Sequence, residues 1–167
     1  ALKVGEEKMK TQDEIAHRIK ELDSNQQDML GFQREVLINC LDFEHATRWL
    51  KSEAPCSPEE WNKGLPRTRD DVLVAMRDYM SFAWGKVEDH RGISATRSVE
   101  KMEAWIWVLG DDETLKKVQA ASYAVYGAPQ LKVVCDQYGF PVPTEESMQN
   151  MIAGMPCAPG CESGCRC

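Results

Sequence analysis

Thr68-Arg69-Asp70-Asp71-Val72-Leu73-Val74-Ala75-Met76-Arg77-Asp78-Tyr79-Met80-Ser81-Phe82-Ala83-Trp84-Gly85-Lys86-Val87 is the stretch that settles the architecture. Thr68 to Asp71 supplies a hydroxyl and acids where a helix begins. Val72, Met76, Tyr79, Met80, Ala83, Trp84 and Val87 then recur three and four residues apart. That spacing predicts one long amphipathic helix.

Downstream, Gly92 ends or interrupts this helix, and Ser94 is placed to cap the next, which runs to about Leu109 and stops at Gly110. Its stripe of Val99, Met102, Ile106 and Leu109 meets Met76, Met80 and Trp84 in one core if the chain reverses at Gly92. Asp111 caps a helix through about Ala120. Pro129 sits one residue inside another, which ends at Tyr138-Gly139. Pro141-Val142-Pro143 is a rigid joint, and Thr144 caps a last helix to about Met151.

Upstream, Thr11-Gln12-Asp13-Glu14 is a capping box followed by Ile15, Ile19 and Leu22 on one face. Ser24-Asn25-Gln26-Gln27 repeats the box, and Met29, Val36, Leu37 and Cys40 continue the stripe, as a second helix or as a bend in the first. Asp42 caps a short helix through Leu50, and Ser57-Pro58-Glu59-Glu60 opens another with Pro at its first position. No stretch alternates with period two between hairpin turns. The expected fold is all-α, about eight helices in a bundle-like domain over residues 1–153. A Gly/Pro/Cys-rich irregular tail over residues 154–167 follows it.

The chain has 167 residues, a length that buries a core without disulfides. Its net charge of −7 counts against direct nucleic-acid binding, since Lys and Arg supply most of that affinity. No apolar run is long enough to span a membrane, and Ala1 to Lys10 is polar, unlike an export signal. Cys40, Cys56 and Cys135 are scattered singly, as in reduced cytoplasmic proteins. A cytoplasmic protein, homo-oligomeric or not, is expected.

Cys157, Cys161, Cys165 and Cys167 crowd into the last eleven residues. Four thiolates match the ligand set of a structural zinc ion, although the three-residue gaps depart from the usual Cys-x₂-Cys pairs. Cys56, Cys135 or a His could complete such a site; crosslinking by disulfides is the alternative. His90, Arg91, Ser94, Arg97 and Ser98 gather cations and hydroxyls at a helix start, a place suited to an anion. The same arginines are also near Glu88, Asp89 and Glu100, which would pair with them. Glu100 and Glu103 lie one turn apart on one face. All-α Mg²⁺-dependent nucleotide pyrophosphohydrolases use such a Glu-x-x-Glu pair with a later Glu-x-x-Asp, which this chain lacks, leaving Asp111, Asp112 and Glu113 as substitutes. The five tryptophans read as packing residues.

The run His90-Arg91-Gly92-Ile93-Ser94-Ala95-Thr96-Arg97-Ser98-Val99-Glu100-Lys101-Met102-Glu103-Ala104-Trp105, continuing to Asp112, resembles a phrase in helical proteins of actinobacteria and their phages. Leu41-Asp42-Phe43-Glu44-His45-Ala46, Tyr126-Gly127-Ala128-Pro129 and Tyr138-Gly139-Phe140-Pro141 fit the same resemblance. No activity is established for that group, so the resemblance implies a bacterial or phage origin and no catalytic residue. The expected function is that of a non-enzymatic accessory protein that binds another protein or a small anionic ligand, with a zinc-binding or crosslinked tail. A Mg²⁺-dependent nucleotide hydrolase using Glu100 and Glu103 is the alternative.

Overall fold

Five of the helix starts that the sequence marks, at Thr11, Asp42, Ser57, Thr68 and Asp111, are made by the side chain expected to make them. In the computed structural model, which describes residues 9–25, 31–50, 57–62, 68–89 and 91–143, there are eight helices and no strand among the described residues. They are α1 (Gln12–Asn25), α2 (Phe32–Asn39), α3 (Phe43–Leu50), α4 (Pro58–Asn62), α5 (Arg69–Glu88), α6 (Gly92–Leu109), α7 (Asp112–Ala120) and α8 (Ala124–Tyr138). Thr68 and Asp71 form a complete capping box: the Asp71 amide donates to Thr68 Oγ1 at 3.1 Å and the Thr68 amide to Asp71 Oδ2 at 3.2 Å. Thr11, Asp42, Ser57 and Asp111 each accept the amide three residues on. Such caps contribute about 0.5–2 kcal/mol each.

α6 is the central element. It packs against α2, α5, α7 and α8. Val99, Met102, Ala104, Trp105, Ile106, Val108 and Leu109 are all buried on it, so it is apolar almost all round in its second half. The expected shared core is present: Met76, Met80, Trp84, Val99, Met102, Ile106 and Leu109 belong to one buried cluster. Trp61, Trp84 and Trp105 are core residues as expected. α1 is joined to the α2–α3 corner by Gln12, whose Nε2 donates to the Cys40 carbonyl at 2.9 Å while its Oε1 accepts the Asp42 amide at 2.8 Å.

One open alternative is decided, and other local features differ from expectation. α1 and α2 are separate helices, and α2 starts after Gly31 in the left-handed region at φ 73°. α6 starts at Gly92, two residues before Ser94, with Arg91 as an N-cap that makes no side-chain cap bond. Thr96 Oγ1 and the Tyr123 hydroxyl both donate to the Gly92 carbonyl, which ties the earlier start in place. Finally, α8 opens on a left-handed turn at Val125, Tyr126 and Gly127. A β-branched residue at positive φ is an outlier. The Gly127 amide closes the turn on the Tyr123 carbonyl at 2.8 Å. Ser24 and Asn25, read as a helix start, are instead the last residues of α1; Gln26 and Gln27 lie outside the described residues, as does the last helix expected from Thr144.

Candidate functional site

α6 carries different chemistry on its two flanks. On one, Arg97, Lys101 and Trp105 recur every fourth residue and so form one stripe. They share an open cleft of about 520 Å³ with Ala75, Asp78, Tyr79 and Phe82 of α5. The Tyr79 ring centre is 5.2 Å from that of Phe82 and 5.7 Å, edge-on, from that of Trp105. Each nearby cation covers a ring. Lys101 Nζ is 5.0 Å from the centre of Tyr79, Lys86 Nζ 4.5 Å from Phe82, and the Arg97 guanidinium 5.2 Å from Phe32 of α2. Such contacts contribute about 0.5–1 kcal/mol at exposed sites. Lys101 also pairs with Glu35 of α2 at 3.1 Å. Among the described residues, no ion pair joins Lys86 or Arg97 to a carboxylate. Phe82 remains 45% exposed at the edge of this cleft.

On the other flank stand Glu100 and Glu103. One nitrogen, Gln33 Nε2 of α2, donates to Glu100 Oε2 at 2.6 Å and reaches Glu103 Oε2 at 3.4 Å. Glu103 also borders a cavity of about 40 Å³ with Arg18, Leu37, Trp107, Leu115 and Gln119. That volume holds a few waters. Burial, and then the neighbouring Glu100 charge, push the Glu103 carboxyl up to about 7. Among the described residues, no group of three or more His, Cys, Asp or Glu is placed to hold a metal ion.

The anion constellation read from the sequence is distributed. Arg91 is exposed, with Nε 3.9 Å from Asp89 Oδ2. Arg97 lies over Phe32 and borders the α5–α6 cleft. Ser98 is fully buried, and its hydroxyl donates to the Ser94 carbonyl at 3.1 Å. His90 is outside the described residues, as are Cys56, Cys157, Cys161, Cys165 and Cys167. Cys135 is buried in the core, where burial pushes its thiol up to about 11, so it is not presented to a ligand outside. Cys40 is buried too.

Sequence reading missed Phe82 and Gln33. Phe82 left a signal, being a large apolar residue off the stripe of its helix. Gln33 left none, because its carboxylate partners are 67 and 70 residues away.

Fold and site together define an all-α domain with an aromatic, cation-bordered seam on one flank of its central helix and a glutamine-bridged carboxylate pair on the other. Compared with protein-family models, with curated proteins and with solved structures, the chain finds no match.

Proposed function

We propose that this protein works by binding rather than by catalysis, and that the α5–α6 seam is its recognition face for an acidic segment of another protein. The observation that carries the reading is the row of Lys86, Arg97 and Lys101, each resting on an aromatic ring beside the exposed Phe82. In a chain of net charge −7, a strip on which Lys86, Arg97 and Lys101 outnumber Asp78 and Glu35 attracts an anionic, partly apolar partner. An isologous pairing of two copies would set this row against itself and is disfavoured.

The test is affinity capture with the native protein and with Phe82→Glu and Arg97→Glu variants, each shown to be folded by circular dichroism. A partner held by the native chain should be lost from both variants and should weaken as salt rises. Retention of every partner by both variants would remove the reading.

The tail supports a second element of function. Four thiols within eleven residues match the ligand number of one zinc ion, with Cys56 or a His as a further donor for so short a loop. Near-stoichiometric zinc, released by acid, is the expected result. Four freely alkylated thiols in metal-free native protein would defeat it, and disulfides would appear as a mass change on reduction. The hydrolase alternative is less favoured. The cavity at Glu103 is about 40 Å³, too small for a nucleotide, and no turnover of nucleoside triphosphates with Mg²⁺ is expected.

A further inference from the structure

α2 touches α6 through three consecutive kinds of contact. Phe32 lies under Arg97, Gln33 reaches Glu100 and Glu103, and Glu35 pairs with Lys101. The first and third involve the cations of the seam. The second is a different chemistry: a neutral amide set between two carboxylates.

We propose that Gln33, Glu100 and Glu103 form a proton-controlled latch that sets how tightly α2 is held on α6, and through it how firmly Arg97 and Lys101 are engaged by Phe32 and Glu35. The regulatory consequence rests on the seam being the recognition face; the latch itself does not.

The geometry supplies the device. A single amide nitrogen carries two hydrogens, so Gln33 serves both carboxylates at once. Both carboxylates charged in one place repel, and one of them sits against Leu37, Trp107 and Leu115. The charged or titratable groups facing Glu103 are few. Glu100 is on its own helix. Arg18 of α1 is across the cavity, with its guanidinium 3.3 Å from Glu21, and Lys10, ahead of α1, lies 5.0 Å from the centre of the Trp107 ring that lines the same cavity. Gln33 and Leu37 of α2, and Leu115 and Gln119 of α7, bring no charge.

The direction follows from linkage. Glu103 keeps its proton in the docked state up to about pH 7, against an ordinary value of 4.5. Lifting α2 away exposes it to water and returns it toward the ordinary value. Docking is therefore tightest in acid, weakens as pH rises from about 4.5 to about 7, and changes little above that. If lifting hydrates Glu103 fully, the open population grows by up to about 300-fold across that range. Lys101 and Arg97 then lose Glu35 and Phe32, and turn to an acidic partner.

Amide hydrogen exchange of residues 35–40, corrected for the intrinsic rate, tests this between pH 5.5 and 8.5 without any partner. The native protein should open at least tenfold more at the alkaline end. Glu103→Gln should abolish the response, and Glu100→Gln should move its midpoint to lower pH. Carbon-detected titration of the Glu103 carboxyl in the native chain gives a reading that needs no variant, with an expected midpoint near 7. A midpoint near 4.5, a flat exchange profile, or an unchanged response in Glu103→Gln would each overturn the latch. A seam that holds no acidic partner while α2 keeps its pH response would overturn the recognition reading instead.

Discussion

Gly127→Ala tests the left-handed turn at the start of α8 most directly. Gly127 has φ +84°, and an added Cβ would stand 2.5 Å from Val99 Cγ2, 3.3 Å from Tyr123 Cε2 and 3.4 Å from Gln130 Oε1. Two penalties combine. A left-handed L-residue costs about 1–2 kcal/mol. Forcing a methyl into a filled core costs about 1–3 kcal/mol. The stiffer unfolded chain returns about 0.4–1 kcal/mol. A net loss of about 2–4 kcal/mol is expected, a large part of a domain's ordinary stability. Urea unfolding followed by the fluorescence of buried Trp84 and Trp105 measures it. Gly139→Ala is the control: φ is +72°, but nothing lies within 4 Å of its Cβ position, so only the conformational penalty of about 1 kcal/mol remains. Adding Val99→Ala to Gly127→Ala should recover part of the loss, with a coupling of at least about 0.5 kcal/mol. If Gly127→Ala costs no more than Gly139→Ala, and the coupling with Val99→Ala is zero, the turn is not packed on α6 as described.

Three further outcomes are expected. Met102→Ala, at a site with no exposure, should lose about 2–5 kcal/mol in the same assay. Tyr138→Phe removes a 2.7 Å hydrogen bond to Asp111 Oδ2 and should cost about 1–2 kcal/mol at neutral pH. Burial raises the Asp111 carboxyl, but hydrogen bonds from Thr114 and Tyr138 outweigh it and hold the group below its usual range. The Tyr138→Phe loss should therefore persist above pH 3.8 and vanish as pH falls through the lowered native value. Glu103→Gln should leave unfolding free energy unchanged at pH 4, where the acid is protonated in both states. It should raise it by about 1–2 kcal/mol at pH 8, after allowance for solvent screening, because the native Glu103 loses its proton near 7.

What could be read from the sequence is what depends on neighbours along the chain. A cap needs a hydroxyl or acid three residues before the amide it accepts, and Thr11, Asp42, Ser57, Thr68 and Asp111 all satisfy that locally. The α5 and α6 stripes are equally local, and their meeting follows from a connection of three residues. Ser94 was misplaced as a cap because the stronger tie, from Tyr123 to the Gly92 carbonyl, crosses 31 residues. Val125 and Tyr126 carry no mark of left-handed backbone; only Gly127 does, and it reads as an ordinary turn. The carboxylate pair was visible as Glu-x-x-Glu, whereas the change in Glu103 depends on burial by α1, α2 and α7, which lie far from it along the chain. The aromatic seam depends on which side of α5 the hairpin leaves uncovered, and a stripe alone does not fix that.

The distance along the chain between α2 and its partners on α6 also has a consequence during synthesis. Gln33 and Glu103 are 70 residues apart. A ribosome adding about 5–20 residues per second needs roughly 4–14 s to make that interval. Throughout it, Phe32, Val36 and Leu37, all buried in the finished domain, have no α6 to cover them. Ribosome-bound chains stalled before residue 92 should therefore be cut by protease in α2, while those extended well past residue 109 should resist.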